Sequence, residues 1–138
     1  MFSGSRGTNA LSIKSYSEVM GAYVKELKNI GLRENEYSAI ETAVKELKNG
    51  YPVETVILFG SRARGAGDEF SDIDLLVVTG RTLRWQEEKA VVDRFFEIGM
   101  EYDVIFSPIF ASHEEWDGGI FRQFPVYGDI MRDGALVA

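Results

Sequence analysis

Asp72 and Asp74 stand two residues apart at the head of an apolar run that continues Leu75-Leu76-Val77-Val78, and ten residues before them the chain reads Gly60-Ser61. A strand sends alternate side chains to one face, so both carboxylates project together if residues 73–78 are extended. An ionised carboxylate among aliphatic neighbours is costly unless something pairs with it. Magnesium is a fitting partner, because it prefers hard oxygen ligands and takes one or two carboxylates beside water and substrate phosphates. Gly60 and Ser61 close a β-branched apolar run at 53–59. A glycine there lets the backbone approach an anion, and the following amides and the Ser61 hydroxyl can donate to phosphate oxygens. Arg62 and Arg64 add guanidinium groups suited to pairing with phosphates. Asp103, within Tyr102-Asp103-Val104-Ile105-Phe106, repeats the pattern of an acid in an apolar stretch. The expectation is that three acids from two neighbouring strands converge on one site.

Each piece alone has a plainer reading. Gly-Ser is common in turns, exposed arginines are usually solvated, and an aspartate can cap a helix. Asp68 and Glu69 read as solvated loop residues. The single histidine, His113, has no second histidine for a zinc pair and reads as a surface or helix-start residue. Trp85 and Trp116 read as packing residues. Rival phosphate motifs fail: no G-x-x-x-x-G-K-[ST] occurs, and Gly65-Ala66-Gly67 lacks the third glycine of a dinucleotide loop. Gly4-Ser5-Arg6 echoes the main motif without a strand before it or acids after it.

The elements that must hold these residues follow from periodicity. Tyr16, Val19, Met20, Tyr23, Val24, Leu27 and Ile30 keep helical spacing behind a Ser15/Glu18 capping box, with Gly31 at the end. A second helix is expected over 36–49, capped by Asn35 and ended by Gly50. Strands are expected at 53–59, 73–78 and 101–106, the last bounded by Pro108. A helix over 83–100 lies between the last two. Ser112 and Glu115 offer a capping box near Trp116, and 124–131 reads as a last short helix. The fold class is α/β, a small mixed central sheet flanked by helices with an extra amino-terminal helix. Residues 1–14 read as a flexible arm. Residues 15–138 read as one domain, helical over 15–50 and with the catalytic core over 51–138.

At 138 residues, 45% of them apolar, the chain suits a single core. It has no cysteine, which excludes disulfides, thiolate zinc sites and a cysteine nucleophile. No export leader and no membrane-length apolar run is evident, so a cytoplasmic location is expected. The net charge of −7 is uneven: residues 1–66 carry nine Lys and Arg against seven acids, residues 67–138 six against fifteen. An acidic second half argues against a broad nucleic-acid-binding surface, but suits a small nucleotide that arrives with its own cation.

Together, Leu58-Phe59-Gly60-Ser61-Arg62-Ala63-Arg64-Gly65 and Ser71-Asp72-Ile73-Asp74-Leu75-Leu76-Val77 resemble the signature of the polymerase-β-type nucleotidyltransferases, specifically the minimal nucleotidyltransferase (MNT) group. The resemblance spans residues 36–135. It implies that Asp72, Asp74 and Asp103 are catalytic carboxylates that ligate two Mg²⁺ ions with bound NTP, and that Gly60 and Ser61, helped by Arg62 and Arg64, grip the triphosphate. It further implies transfer of a nucleoside monophosphate, AMP from ATP as the first expectation, to a hydroxyl with release of pyrophosphate. Minimal members often pair with a small helical HEPN protein in toxin–antitoxin modules, where a tyrosine of the partner can be the acceptor. The alternatives are a non-catalytic NTP-binding subunit that neutralises a partner, and small-molecule modification of the aminoglycoside nucleotidyltransferase kind, for which little chain remains to form a pocket.

Overall fold

Alternation along two antiparallel strands organises the molecule. In the computed structural model, which describes residues 25–27, 30–65 and 72–138, β1 is Lys25–Glu26, α1 Glu34–Gly50, β2 Val53–Phe59, α2 Gly60–Ala63, β3 Ile73–Thr79 and α3 Trp85–Tyr102. Next come β4 Phe106–Ser112, α4 His113–Asp117, a 3₁₀ turn at Phe121–Gln123, α5 Pro125–Asp133 and β5 Ala135–Leu136. The sheet is mixed, in the order β1-β5-β2-β3-β4. β1 runs parallel to β5 and β3 parallel to β4, while β2 is antiparallel to both β3 and β5.

Both sheet faces are buried, which is why β2 and β3 read as continuous apolar runs. Val56, Leu58, Ile73, Leu75 and Val77 pack toward α1 and α3, against Ile40, Leu47, Phe95 and Ile98. Ile57, Phe59, Leu76, Val78 and Ala111 pack the other way, against Trp116 of α4 and Ile130 of α5. The helices therefore form two layers, α1 and α3 on one side, α4 and α5 on the other.

The expected elements at 53–59 and 73–78 are present almost residue for residue, and Ser112 Oγ accepts from the Glu115 amide at 3.1 Å in the expected capping box. Trp116 is buried as expected, its ring 5.0 Å from Tyr127 centroid to centroid. Trp85, expected to pack, is 71% exposed at the first turn of α3. The cap of α1 also differs. Glu36 accepts from the Arg33 amide at 2.7 Å, so the helix begins earlier, and Asn35 instead donates its side-chain amide to the Tyr102 carbonyl at 2.8 Å. The expected arm and most of the expected helix at 16–30 lie outside the described residues; the later part of that span contains β1.

The third strand is the largest correction. Residues 101–102 finish α3, and Asp103 caps it in the left-handed region, φ 60° and ψ 47°. The strand starts at Phe106 and runs through Pro108 rather than stopping before it. Proline is tolerated because β4 is an edge strand. The Ile73 amide donates to the Ile105 carbonyl at 2.7 Å, so in the parallel register odd-numbered residues of β4 bond to β3. Pro108 therefore lacks its N–H on the open side of the sheet, where no ladder needs it.

Arg62 is 7% exposed and paired with Glu36, itself buried on α1. Burial alone would raise the Glu36 carboxyl, but the Arg33 amide and the Arg62 and Arg33 guanidinium groups outweigh it and hold the group below its ordinary value of 4.5. A carboxylate shifted down contributes stability above its unfolded-state pKa and loses it as pH falls through the folded one. Glu36→Ala should lower unfolding free energy by about 3 kcal/mol at neutral pH, because it removes the carboxylate that pairs with a buried cation. Urea unfolding at neutral and acidic pH should show this gap narrowing in acid.

Candidate active site

The antiparallel register of β2 and β3 pairs Phe59 with Asp74, which brings the turn after β2 against the start of β3. Gly60 sits in that turn with φ +77°. Any Cβ at this position would overlap the Asp74 carboxylate. Glycine is thus required twice, by its backbone angle and by the acid that lies over it.

Asp74 is half-buried on the face of β3 that also carries Leu76 and Val78, the face covered by α4 and α5. Asp72, just before the strand, is exposed. Burial raises the Asp74 carboxyl above its ordinary value, the like charge of Asp72 raises it further, and the Arg64 guanidinium acts in the opposite direction. These effects place Asp72, Asp74 and Arg64 within electrostatic reach of one another.

Of the expected phosphate-binding residues, Gly60, Ser61 and Arg64 remain at this site, and Arg62 does not. The i, i+2 arginines divide between the two layers. Arg62 turns to Glu36 of α1, whereas Arg64 donates to Asp133 at the end of α5 at 3.4 Å, with its side chain 45% exposed. Arg62 is a structural cation. Asp133, which sequence reasoning passed over, is held below the ordinary carboxylate value by its hydrogen bond from Arg132, aided by Arg64. No spacing rule links positions 64 and 133; the fold of α5 back over the turn brings them together.

Asp103 does not join Asp72 and Asp74. It closes α3, in the opposite layer from the Asp74 face, and lines a groove of about 430 Å³ with Phe96, Met100 and Ile105. The β3–β4 register places Ser107 beside Asp74 instead. Its ladder neighbours Ile109 and Ala111 pack in the α4–α5 layer, as Leu76 and Val78 do, so Ser107 shares the Asp74 face. The signal for it was a polar residue at an alternate position of an apolar segment, obscured by taking Pro108 as a strand end. Among the described residues no three Asp, Glu, His or Cys side chains gather as a metal site.

Two carboxylates at the head of β3, one of them lying over Gly60 and made more basic by burial and by its neighbour's charge, form a hard-oxygen donor set of the kind magnesium takes from protein. The chain belongs to the nucleotidyltransferase domain family, whose model matches residues 38–120. Two relatives from Methanocaldococcus jannaschii carry the name "Putative protein adenylyltransferase". MJ0604 is 31% identical over 105 residues, covering 75% of this chain and 98% of that protein. MJ0141 is 37% identical over 57 residues, covering 41% of this chain and 58% of that protein. The chain also resembles a crystallised toxin–antitoxin complex with AMP-PNP, at a TM-score of 0.49 and 17% identity, covering 72% of this chain and 70% of that one.

Two outcomes test this geometry. Gly65, with φ +72° and no described residue within 4 Å of where a Cβ would sit, is a control for Gly60. Each Gly→Ala change should cost about 1–2 kcal/mol for its backbone angle, and Gly60→Ala should cost more by the clash with Asp74, measured by chemical denaturation. Second, carboxyl ¹³C titration should show the Asp74 pKa falling toward its ordinary value in Asp72→Asn and rising further in Arg64→Ala. The folded chain holds the Asp74 proton to higher pH than the unfolded chain does, so ionisation of this group costs stability as pH rises through its folded value.

Proposed function

We propose that the chain transfers AMP from ATP to a hydroxyl on a protein, with release of pyrophosphate. The observation that carries this reading is the Asp74 carboxylate set over Gly60, with Asp72 two residues before it, within a chain of the nucleotidyltransferase family. The names of the two M. jannaschii relatives support adenylyl transfer and a protein acceptor. The acceptor to try first is a small helical HEPN-type partner, as the sequence resemblance implies.

Asp72 and Asp74 would hold Mg²⁺, which when bound supplies positive charge to the triphosphate and favours ionisation of an attacking hydroxyl. The Ser61 hydroxyl and the amides of the turn would donate to phosphate oxygens, close approach being possible because position 60 has no side chain. Arg64 would offset charge on the leaving pyrophosphate. The acceptor oxygen attacks the α-phosphorus in line, the α–β bridging bond breaks, and the hydroxyl proton passes to water at the exposed side of Asp72.

A second reading, an NTP-binding subunit that neutralises its partner by covering it, is favoured by one observation: Ser107 stands beside Asp74 and brings no carboxylate. Incubation with α-³²P-ATP, Mg²⁺ and a HEPN-type partner separates the two. Covalent label on the partner supports transfer, with loss of about a hundredfold or more in Asp72→Asn and in Asp74→Asn. Tight binding without label supports the covering role, and undiminished labelling in both variants removes the site assignment.

A further inference from the structure

We propose that the Asp72–Asp74 site holds a single divalent cation with its nucleotide, rather than the two that the family resemblance implies, and that Ser107 is the residue that limits it to one. This rests on the nucleotidyltransferase reading.

Position matters first. In the parallel register Ile73 pairs with Phe106, Asp74 with Ser107 and Leu75 with Pro108. Paired residues of neighbouring strands point to the same face, with their backbones roughly 4.8 Å apart. Phe106 and Phe110 pack in the α1–α3 layer while Ile109 and Ala111 pack in the α4–α5 layer, so the pleat assigns Ser107 to the second. Among β4 residues, Ser107 is therefore the one whose side chain could join Asp74 in ligating a cation.

Charge comes second. A second dication beside the first must shed water and bear close repulsion, which anionic ligands offset and a neutral hydroxyl does not. Among the described residues, the acids nearest this site in sequence or in space are engaged elsewhere. Asp103 caps α3 across the sheet, and Asp133 is engaged by Arg132 and Arg64. Arg64, accessible at the end of the same turn and held by Asp133 at 3.4 Å, adds a positive charge on this side of the sheet, and this further disfavours a second cation. The local charge thus matches one dication carried in with a triphosphate.

The test counts cations directly. Mn²⁺ is titrated into the full chain with saturating AMP-PNP, and free Mn²⁺ is followed by electron paramagnetic resonance. The wild type should bind one Mn²⁺ per chain, Ser107→Ala also one, and Ser107→Asp two, the second site appearing at a midpoint at least tenfold lower in Mn²⁺ than in wild type. Two equally tight ions in the wild type would overturn the inference while leaving the nucleotidyltransferase reading intact. A folded Ser107→Asp, as judged by circular dichroism, that still binds one ion would overturn the role of Ser107. Loss of all Mn²⁺ binding with nucleotide in wild type and variants alike would instead overturn the site itself. If Ser107→Asp does not fold, the wild-type count decides alone, since one ion per chain supports the proposal and two refute it.

Discussion

The contact on which the site depends is that between the Gly60 backbone and the Asp74 carboxylate. It exists because β2 and β3 are antiparallel with Phe59 opposite Asp74, so the residue that ends one strand meets the acid near the start of the other. The apolar alternation of both strands holds that register. A slip by one residue would turn Ile57, Leu58, Leu75 and Leu76 to the wrong layers together, which is far costlier than any rearrangement at the polar end. Core packing thereby fixes the approach of a charged group to a glycine, and a glycine is the residue that tolerates it.

The same two-layer arrangement sorts the remaining charges. Arg62 and Arg64 are two residues apart and would be interchangeable as phosphate partners on composition alone, yet they serve different layers. Arg62 is sealed against Glu36, which also anchors the start of α1, so it joins the turn after β2 to the helix beneath it. Arg64 remains accessible, restrained by Asp133. One arginine secures the turn from below and the other offers charge above it.

What could be read from residues alone was whatever depends on local pattern. The apolar runs of β2 and β3, the Ser112/Glu115 cap and the Gly60–Asp74 spacing are short-range properties, and all four reappear in the structure. The misreadings concern positions whose fate is decided at long range. Asp103 resembled Asp74 because each is an acid within an apolar stretch. A helix that persists to Tyr102, and a left-handed cap stabilised by an amide donating to the Gly99 carbonyl, keep it out of the sheet. Pro108 resembled a terminator because its edge position was unknown, and an edge is defined by which strands lie beside it. Arg62 could not be told from Arg64 without knowing which layer each would face.

Surface chemistry divides along the same plane. Val92, Phe96 and Met100 recur at helical spacing on the exposed side of α3, with Ile105 beyond them. All belong to the layer opposite Asp74. The site itself is reached past Asp72 and Arg64, both charged and both accessible. A substrate approaching there meets carboxylates, a guanidinium group and turn amides rather than apolar surface, so its recognition must come mainly from charge and hydrogen bonding. On the proposed reading, a triphosphate with a cation would satisfy that requirement, supplying negative oxygens for Arg64 and the turn and a positive ion for the two aspartates, and so offsetting the burial and the like charge of Asp72 that together raise Asp74.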